Sequence, residues 1–408
     1  MKYKITAPKS VHSTIKLPAS KSISNRALIL NNLCNSPYKI QNLSDCDDTM
    51  VMIKAFEENS EVIDVMAAGT SMRFLTAYYS QIPGERIITG TERMKKRPIQ
   101  ILVNALNALG ARISYVETPG YPPLKIQGSV LDGGEIFLSG AISSQFISAI
   151  LMIAPTMEKG LVMHLEGGII SIPYIKLTLK MMSDFGVKAD WKGNTITIYP
   201  QHYMPTPYIV ESDWSGASYW YEIAALSDSA EIKLEGLFAN SPQGDSKVAE
   251  LFIDLGVETK YEEGSVVLTK TNRRTKKFFH NFVDQPDLAQ TFAVTCCLLD
   301  IPFLFTGLQS LKIKETDRIE ALKVELKKLG YVLYDSQDSI LEWNGERCEP
   351  ESEPVISTYE DHRMAMAFAP ASTRISNICI AHPGVVSKSY PNYWNNLKNV
   401  GFLIEKED

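Results

Sequence analysis

The chain has 408 residues, 45% hydrophobic and 22% charged, which is the composition of a soluble globular protein with room for two or three domains. Its formal net charge of −6 argues against a general nucleic-acid or anionic-membrane surface. No run approaches the ~20 apolar residues of a membrane span, and the first residues lack the apolar core of a signal peptide. Six cysteines without a CxxC pair and six scattered histidines predict reduced thiols, no metal site and a cytoplasmic location.

A polar stretch follows the predicted N-terminal strand and precedes an apolar run at residues 27–33. It contains Lys21, Ser22 and Arg26, and both Ser20 and Ser22 are candidate N-caps. Free N–H groups at a helix start attract anions, and added cations strengthen that attraction. The stretch therefore predicts an anion pocket, although by itself it is equally consistent with a solvated helix start.

A short pattern recurs along the chain: apolar residues at helical spacing, then glycine, then a strand-like run. Each glycine predicts a helix C-cap in the left-handed conformation. The spacing of about 70 to 76 residues predicts six α/β or α+β units, each with two helices and three or four strands. Chance recurrence of a common C-cap is the alternative. The copies lie at Gly110, Gly186, Gly256, Gly330 and Gly401, with a degenerate sixth copy in which Asn59 replaces glycine.

Polar or basic clusters stand directly before several apolar helical runs. Taken one at a time, each cluster is more simply explained as an N-cap or a solvated first turn. Arg and Lys in a first turn oppose the helix dipole, however, so their recurrence predicts a shared anionic ligand. The chain has no Walker A motif and no GxGxxG after a strand, so a small substrate with phosphate and carboxylate groups fits better than a nucleotide. The clusters lie at residues 69–73, 93–98, 143–145, 171–174, 314–318 and 361–363.

In this order the motifs resemble those of the 5-enolpyruvylshikimate-3-phosphate (EPSP) synthases, or 3-phosphoshikimate 1-carboxyvinyltransferases, over nearly the whole chain. The resemblance implies an α/β (α+β) enolpyruvyl-transferase fold of two domains, each of three βαβαββ units, joined by a double-crossover hinge. One domain would be residues 21–211, the other residues 1–20 plus 212–408, with the active site in the interdomain cleft. The motifs lie at residues 21–26, 68–73, 93–98, 121–124, 143–145, 171–174, 240–245, 286–287, 314–318, 361–363 and 388–391.

The resemblance also implies a reaction between shikimate 3-phosphate and phosphoenolpyruvate that needs no metal or organic cofactor, in a monomer. Asp287 matches the acid–base residue near the 5-hydroxyl, and Glu315 matches the carboxyl group near the methylene carbon. Lys21 is the alternative to Glu315 as the group that exchanges a proton with that carbon. His362 matches a polar neighbour of the phosphoenolpyruvate site. Matches to shikimate 3-phosphate contacts are Lys21, Ser22, Arg26, Ser143, Ser144, Gln145, Ser171, Tyr174, Asp287 and Lys314; matches to phosphoenolpyruvate contacts are Lys21, Gly69, Arg97, Gln145, Arg318, Arg363 and Lys388.

Three features depart from the family pattern. Ala67 stands where an amide side chain commonly faces phosphoenolpyruvate, and Ser310 stands where an Asn often contacts the shikimate ring. The first repeat is short between Asp48 and Ala68 and is predicted to lack a strand. These departures affect the expected substrate affinity, while the principal cations and the acid–base pair are present.

Two alternatives remain open from the sequence. A transferase of enolpyruvate to UDP-N-acetylglucosamine would share the fold, but that family has Lys-Asn where this chain has Lys21-Ser22, and it typically carries a reactive loop Cys. A non-catalytic protein that binds a small polyanion would have no need of Asp287 and Glu315 together.

Overall fold

The computed structural model describes residues 1–58 and 60–407, so the C-cap predicted at Asn59 lies outside the described residues. The chain forms two compact units. We call residues 19–210 the contiguous unit, and residues 1–18 with 211–408 the split unit.

The secondary structure alternates between helices and short strands along the whole chain. The helices are α1 Lys21–Leu33, α2 Asp47–Glu58, α3 Gly69–Ser80, α4 Gln100–Ala108, α5 Ser144–Ile153, α6 Ile172–Asp184, α7 Trp214–Leu226, α8 Val248–Leu251, α9 Ala289–Leu298, α10 Arg318–Lys328, α11 His362–Phe368 and α12 Tyr393–Asn399. The strands are β1 Lys2–Thr6, β2 Ser10–Lys16, β3 Val62–Asp64, β4 Gly84–Thr89, β5 Arg112–Tyr115, β6 Leu124–Gly128, β7 Gly134–Ser139, β8 Leu161–Glu166, β9 Asp190–Lys192, β10 Thr195–Ile198, β11 Ser229–Glu235, β12 Val257–Glu262, β13 Ser265–Lys270, β14 Phe278–Asn281, β15 Phe303–Thr306, β16 Tyr334–Ser336, β17 Ile340–Trp343, β18 Val355–Ile356, β19 Cys379–Ala381 and β20 Leu403–Glu407. Short 3-10 segments include Met94–Lys96, Pro286–Leu288, Gln309–Ile313 and Pro383–Lys388.

The strands form sheets that repeat one arrangement. The contiguous unit has the orders β3-β4-β6-β5 and β7-β8-β10-β9, and the split unit has β2-β11-β13-β12, β14-β15-β17-β16 and β18-β19-β1-β20. In each sheet the first pair is parallel and the other two pairs are antiparallel. A parallel pair requires a crossover connection. The last α-helix before the second strand of each parallel pair is α3, α5, α7, α9 or α11. This common topology confirms the predicted α/β repeat in five sheets of the described residues, one fewer than the six predicted units.

The five glycines predicted to end a helix have the predicted left-handed conformation. In the α10 example, the N–H of Gly330 donates to Lys327 O and the N–H of Tyr331 donates to Leu326 O, both at 3.0 Å. These two bonds satisfy carbonyls that the helix leaves without partners, and they require a left-handed residue between them. The φ values are 102° at Gly110, 85° at Gly186, 89° at Gly256, 92° at Gly330 and 100° at Gly401.

The first repeat differs from the prediction. The stretch between Asp48 and Ala68 does contain a strand, β3, although only three residues long. The reduced pairing lies instead before α2, where Gln41 forms an isolated parallel bridge with Ile209. The sequence did not predict β3 because three residues are too few to show a clear alternation of apolar and polar side chains.

The crossover helices of the split unit are buried on every face. All thirteen residues of α7, all ten of α9 and all seven of α11 are buried. Burial on every side fixes both the axis and the rotation of a helix, so side chains at its N-terminus are held rigidly. No helix in the described part of the chain combines the length and apolarity needed to cross a membrane.

Candidate active site

In the contiguous unit, Arg26 joins three helices. Its guanidinium is 2% exposed and donates to Thr178 Oγ1 at 2.7 Å, to Ser22 O at 2.9 Å and to Ser148 Oγ at 3.1 Å. It also lies over the ring of Phe74, 5.3 Å from the centroid. These neighbours carry no negative charge, and burial lowers the pKa of Arg26 to about 10. A buried cation among neutral partners is stabilised by an anion brought close to it.

The start of α3 is crowded by two guanidinium groups. Arg73 donates from Nη1 to Gly69 O at 2.8 Å. A Cβ built on Gly69 would lie 2.5 Å from Arg97 Nη1 and 3.0 Å from Arg73 Nη1. Gln145 of α5 donates to Thr70 Oγ1 at 3.2 Å, which ties the starts of α3 and α5 together. Glycine at position 69 therefore gives both arginines access to the helix N-terminus.

Other predicted residues of the contiguous unit also lie at helix starts. Ser20 occupies the N-cap position of α1, whereas Ser22 is the second helical residue, so the prediction of Ser22 as an N-cap is wrong. Ser143 caps α5 by accepting from Gln145 N at 3.3 Å. Ser171 occupies the N-cap position of α6, with a left-handed φ of 54°. Lys21, Ser144 and Tyr174 lie in the first turns of α1, α5 and α6.

The departure at Ala67 lies immediately before α3. Met66 has a left-handed φ of 52° and is 54% exposed, and its N–H donates to Asp64 Oδ1 at 2.7 Å. Ala68 follows as the N-cap of α3 and has no side-chain capping bond. Ser310 lies in the 3-10 segment Gln309–Ile313 of the split unit. The effect of both departures on affinity stays a prediction.

In the split unit, Asp287 lies among three cations. Its Oδ1 atom is 2.9 Å from Arg318 Nη1 and 3.5 Å from Lys314 Nζ, and its Oδ2 atom is 2.9 Å from Arg363 Nη2. The sequence places these residues in three separate motifs, and the fold brings them together because the starts of α9, α10 and α11 are neighbours. Asp287 remains 15% exposed, so it is buried enough for strong ion pairs and still reaches solvent.

Arg318 organises this cluster. It is 1% exposed and pairs through Nη2 with Glu315 Oε2 at 2.8 Å and through Nε with Asp361 Oδ2 at 2.7 Å. Burial by itself lowers the pKa of Arg318, but Asp361, Glu315 and Asp287 outweigh burial and raise it above the ordinary value. One permanently charged guanidinium thus holds the two predicted acid–base carboxyl groups, Asp287 and Glu315, beside each other.

The remaining predicted cations of this unit are also held by defined contacts. Arg363 lies in the first turn of α11, which Asp361 caps by accepting from Arg363 N at 2.9 Å, and its Nη1 atom lies 3.4 Å from Tyr219 OH. Lys388 donates to Glu360 O at 2.8 Å. His362 is 2% exposed and is the first residue of α11.

The sequence did not assign a role to two acidic residues of this cluster. Asp361 belongs to a noted motif, but its ion pair is with Arg318, 43 positions earlier. Asp245 ends the motif at 240–245, is 2% exposed, and accepts from the hydroxyl of Ser215. Burial and the charge of Asp287 raise the pKa of Asp245 to about 7. Only its place in a motif could have indicated Asp245, because the sequence gives no measure of its burial.

The fold was compared with known structures. EPSP synthase from Acinetobacter baumannii superimposes with a TM-score of 0.80 at 22% sequence identity, covering 99% of this chain and 100% of that one. At this identity the likeness concerns the fold, and the split and contiguous units define an α/β protein of the EPSP synthase fold class.

The sequence was compared with families and curated proteins. The family model of EPSP synthase (3-phosphoshikimate 1-carboxyvinyltransferase) matches residues 5–58 and 52–397. A 3-phosphoshikimate 1-carboxyvinyltransferase of Bacteroides fragilis (strain YCH46) is 60% identical over 406 residues, covering 99% of each chain. One of Aliivibrio fischeri (strain ATCC 700601 / ES114) is 35% identical over 420 residues, covering 96% of this chain and 97% of the relative. The chain belongs to the EPSP synthase family. This confirms the resemblance and gives no support to the two alternatives considered from the sequence.

Proposed function

We propose that this member of the EPSP synthase family transfers the 1-carboxyvinyl group of phosphoenolpyruvate to the 5-hydroxyl of shikimate 3-phosphate, releasing phosphate, as a step of aromatic amino-acid biosynthesis. The observation that carries this proposal is the pairing of Asp287 and Glu315 with the single guanidinium of Arg318. A site that only binds anions would gain nothing from two carboxylates placed among its cations, because they weaken anion binding. Proton transfer requires them.

The cations have a separate task. Each substrate carries a phosphate and a carboxylate, and the protein has a net charge of −6, so local positive charge must overcome a general repulsion. Arg97, Arg318, Arg363 and Lys388 hold phosphoenolpyruvate in this proposal. Arg26, buried among hydroxyl and carbonyl groups, supports the charge of shikimate 3-phosphate.

The proposed reaction has two steps. First, the 5-hydroxyl oxygen bonds to the central carbon of phosphoenolpyruvate; Asp287 accepts the hydroxyl proton, and Glu315 or Lys21 gives a proton to the methylene carbon. The resulting tetrahedral intermediate then loses phosphate as the methyl carbon returns a proton. Holding both reactants between fixed charges lowers the barrier chiefly through orientation and electrostatic stabilisation.

The direct test is phosphate release from the purified chain with the two substrates, compared with each substrate alone. We expect release only with both. Asp287→Asn and Glu315→Gln should each lower kcat at least about 100-fold, the usual contribution of a general acid or base, with KM values changed far less. Glu320→Gln is the matched control, because Glu320 lies on α10, the helix of Arg318, and pairs with Lys323 at 2.9 Å outside the cluster. Absence of release, or unchanged kcat in both variants, would contradict the proposal.

We also propose that the protein acts as a cytoplasmic monomer, as the family resemblance implied. Sedimentation of the purified chain at micromolar concentration should give a single species near its mass of 45.6 kDa. A stable species of twice that mass would contradict the proposed monomer without affecting the proposed reaction.

A further inference from the structure

A turn between β18 and α11 has a conformation that its sequence disfavours. The N–H of Asp361 donates to Thr358 O at 2.8 Å, and the two central residues have positive φ values, 53° at Tyr359 and 56° at Glu360. Two consecutive positive φ values mark a type I′ turn, which normally contains Asn and Gly at these positions. Tyr and Glu have side chains that disfavour this region, so contacts elsewhere must hold the turn.

Glu325 of α10 supplies those contacts. Its carboxylate is fully buried; one oxygen accepts from Tyr359 OH at 2.6 Å, and the other from Ser357 N at 3.0 Å and Lys328 Nζ at 2.7 Å. Lys328 also donates to Val355 O at 2.8 Å. Burial and the neighbouring Glu325 carboxylate raise the pKa of Tyr359, so its hydroxyl remains a donor at neutral pH. The segment 355–359 is therefore tied to α10 at three points.

The same turn fixes site residues on its other side. Glu360 O, one of the two strained positions, accepts from Lys388 Nζ at 2.8 Å. Asp361, the last residue of the turn, caps α11 at Arg363 N and pairs with Arg318 Nε at 2.7 Å. A change in the turn would displace Glu360 O and, with it, the Lys388 ammonium group. It would have less effect on Arg318 and Arg363, which are buried.

We propose that Glu325 and Tyr359 are positioning residues that hold the 358–361 turn so that Glu360 O directs Lys388 toward phosphoenolpyruvate. This inference rests on the proposed role of Lys388. Neither Glu325 nor Tyr359 touches substrate in this account. Their effect passes through backbone geometry, so it should fall on phosphoenolpyruvate binding and leave shikimate 3-phosphate binding nearly unchanged.

The central experiment removes one hydroxyl. Tyr359→Phe should raise KM for phosphoenolpyruvate about three- to tenfold, the effect of one lost hydrogen bond, with KM for shikimate 3-phosphate unchanged. Tyr334→Phe is the matched control, because Tyr334 is a 46% exposed tyrosine of the same unit whose hydroxyl also donates to a glutamate, Glu346. It should leave both KM values unchanged.

A rescue and a coupling measurement separate positioning from general destabilisation. Glu360→Gly keeps the carbonyl and accepts a positive φ without strain, so Tyr359→Phe/Glu360→Gly should regain most of the lost phosphoenolpyruvate affinity. In a Lys388→Ala background, Tyr359→Phe should raise KM no further, because the two changes act through one contact.

The outcomes distinguish the two levels of the proposal. If Lys388→Ala leaves KM for phosphoenolpyruvate unchanged, the role of Lys388 is wrong and the inference fails with it. If Lys388→Ala raises that KM but Tyr359→Phe does not, or if the two effects multiply independently, the positioning role alone is overturned. Glu325→Gln keeps the size of the side chain but replaces one of its two acceptor oxygens by an NH2 group, which cannot accept a hydrogen bond. A folded Glu325→Gln protein therefore provides a second measurement should Tyr359→Phe fold poorly. It should raise KM for phosphoenolpyruvate in the same selective way, and an unchanged or unselective KM would overturn the role of Glu325.

Discussion

Replacement of Gly69 by alanine separates folding from substrate binding at one position. Gly69 is the first residue of α3, where alanine should stabilise the fold by about 0.4–1 kcal/mol because it reduces the freedom of the unfolded chain. The new Cβ would, however, lie 2.5 Å from Arg97 Nη1. Carbon contacts normally lie at about 3.5 Å or more, so the end of Arg97 must move by about 1 Å.

A movement of this size would remove the proposed charge-assisted hydrogen bond from Arg97 to phosphoenolpyruvate. It would not disrupt the fold, because the displaced atom is the end of a flexible side chain. Such a bond contributes about 1.5–3 kcal/mol. Gly69→Ala should therefore raise KM for phosphoenolpyruvate roughly 10- to 150-fold, with little change in KM for shikimate 3-phosphate and an unchanged or slightly higher Tm.

Steady-state kinetics with each substrate varied in turn, together with thermal unfolding, measure these effects. Gly168→Ala is the control, because Gly168 lies in the same unit and has no atom within 4 Å of an added Cβ. Arg97→Ala should reproduce the selective loss, and Gly69→Ala should add little to it. If KM for phosphoenolpyruvate stays within twofold in Gly69→Ala while Arg97→Ala raises it, the steric reasoning is wrong.

Three further substitutions test the energetics of the fold. Because burial and Asp287 raise the pKa of Asp245 to about 7 from its ordinary 3.8, the folded protein holds a proton that the unfolded chain releases, so stability falls as pH rises between these values. In urea unfolding, the free energy of unfolding of Asp245→Asn relative to that of the wild type should therefore increase by about 2–3 kcal/mol from pH 5 to pH 8. Parallel curves of unfolding free energy against pH for the two proteins would contradict this. Burial also raises the pKa of Glu222 well above its ordinary value, which favours the neutral carboxyl group. Glu222→Gln should therefore lower the free energy of unfolding by less than about 1 kcal/mol; a loss of several kcal/mol in the same assay would contradict this. Gly330→Ala, at φ 92°, should cost about 1–2 kcal/mol, and an unchanged Tm would refute the C-cap argument.

The repeat was predictable from the sequence because its signals are local. A glycine such as Gly186 or Gly401 ends a helix through its own backbone freedom, and the apolar residues before it show the helical period directly. The same locality explains why the sequence alone indicated the basic residues at helix starts, such as Lys21 and Arg363. The sequence analysis did not predict β3, because this strand is too short to show the two-residue alternation of apolar and polar side chains.

The tertiary structure decided which of these residues come into contact and which hydrogen bonds and ion pairs each of them forms. From its local sequence, Arg26 is equally consistent with an anion pocket and with a solvated helix start. Only the packing of α1 against α5 and α6 makes it a buried guanidinium bonded to Thr178 and Ser148. Arg318 binds Asp287, 31 positions earlier, and Asp361, 43 positions later, and no local pattern encodes such pairs. The left-handed turn at Tyr359 even opposes the preference of its own sequence. The amino-acid sequence thus determined the elements and the residue types at their ends, because those depend on neighbours along the chain. The charge states, burial and ion pairs of the site depend on neighbours in space, which only the folded chain supplies.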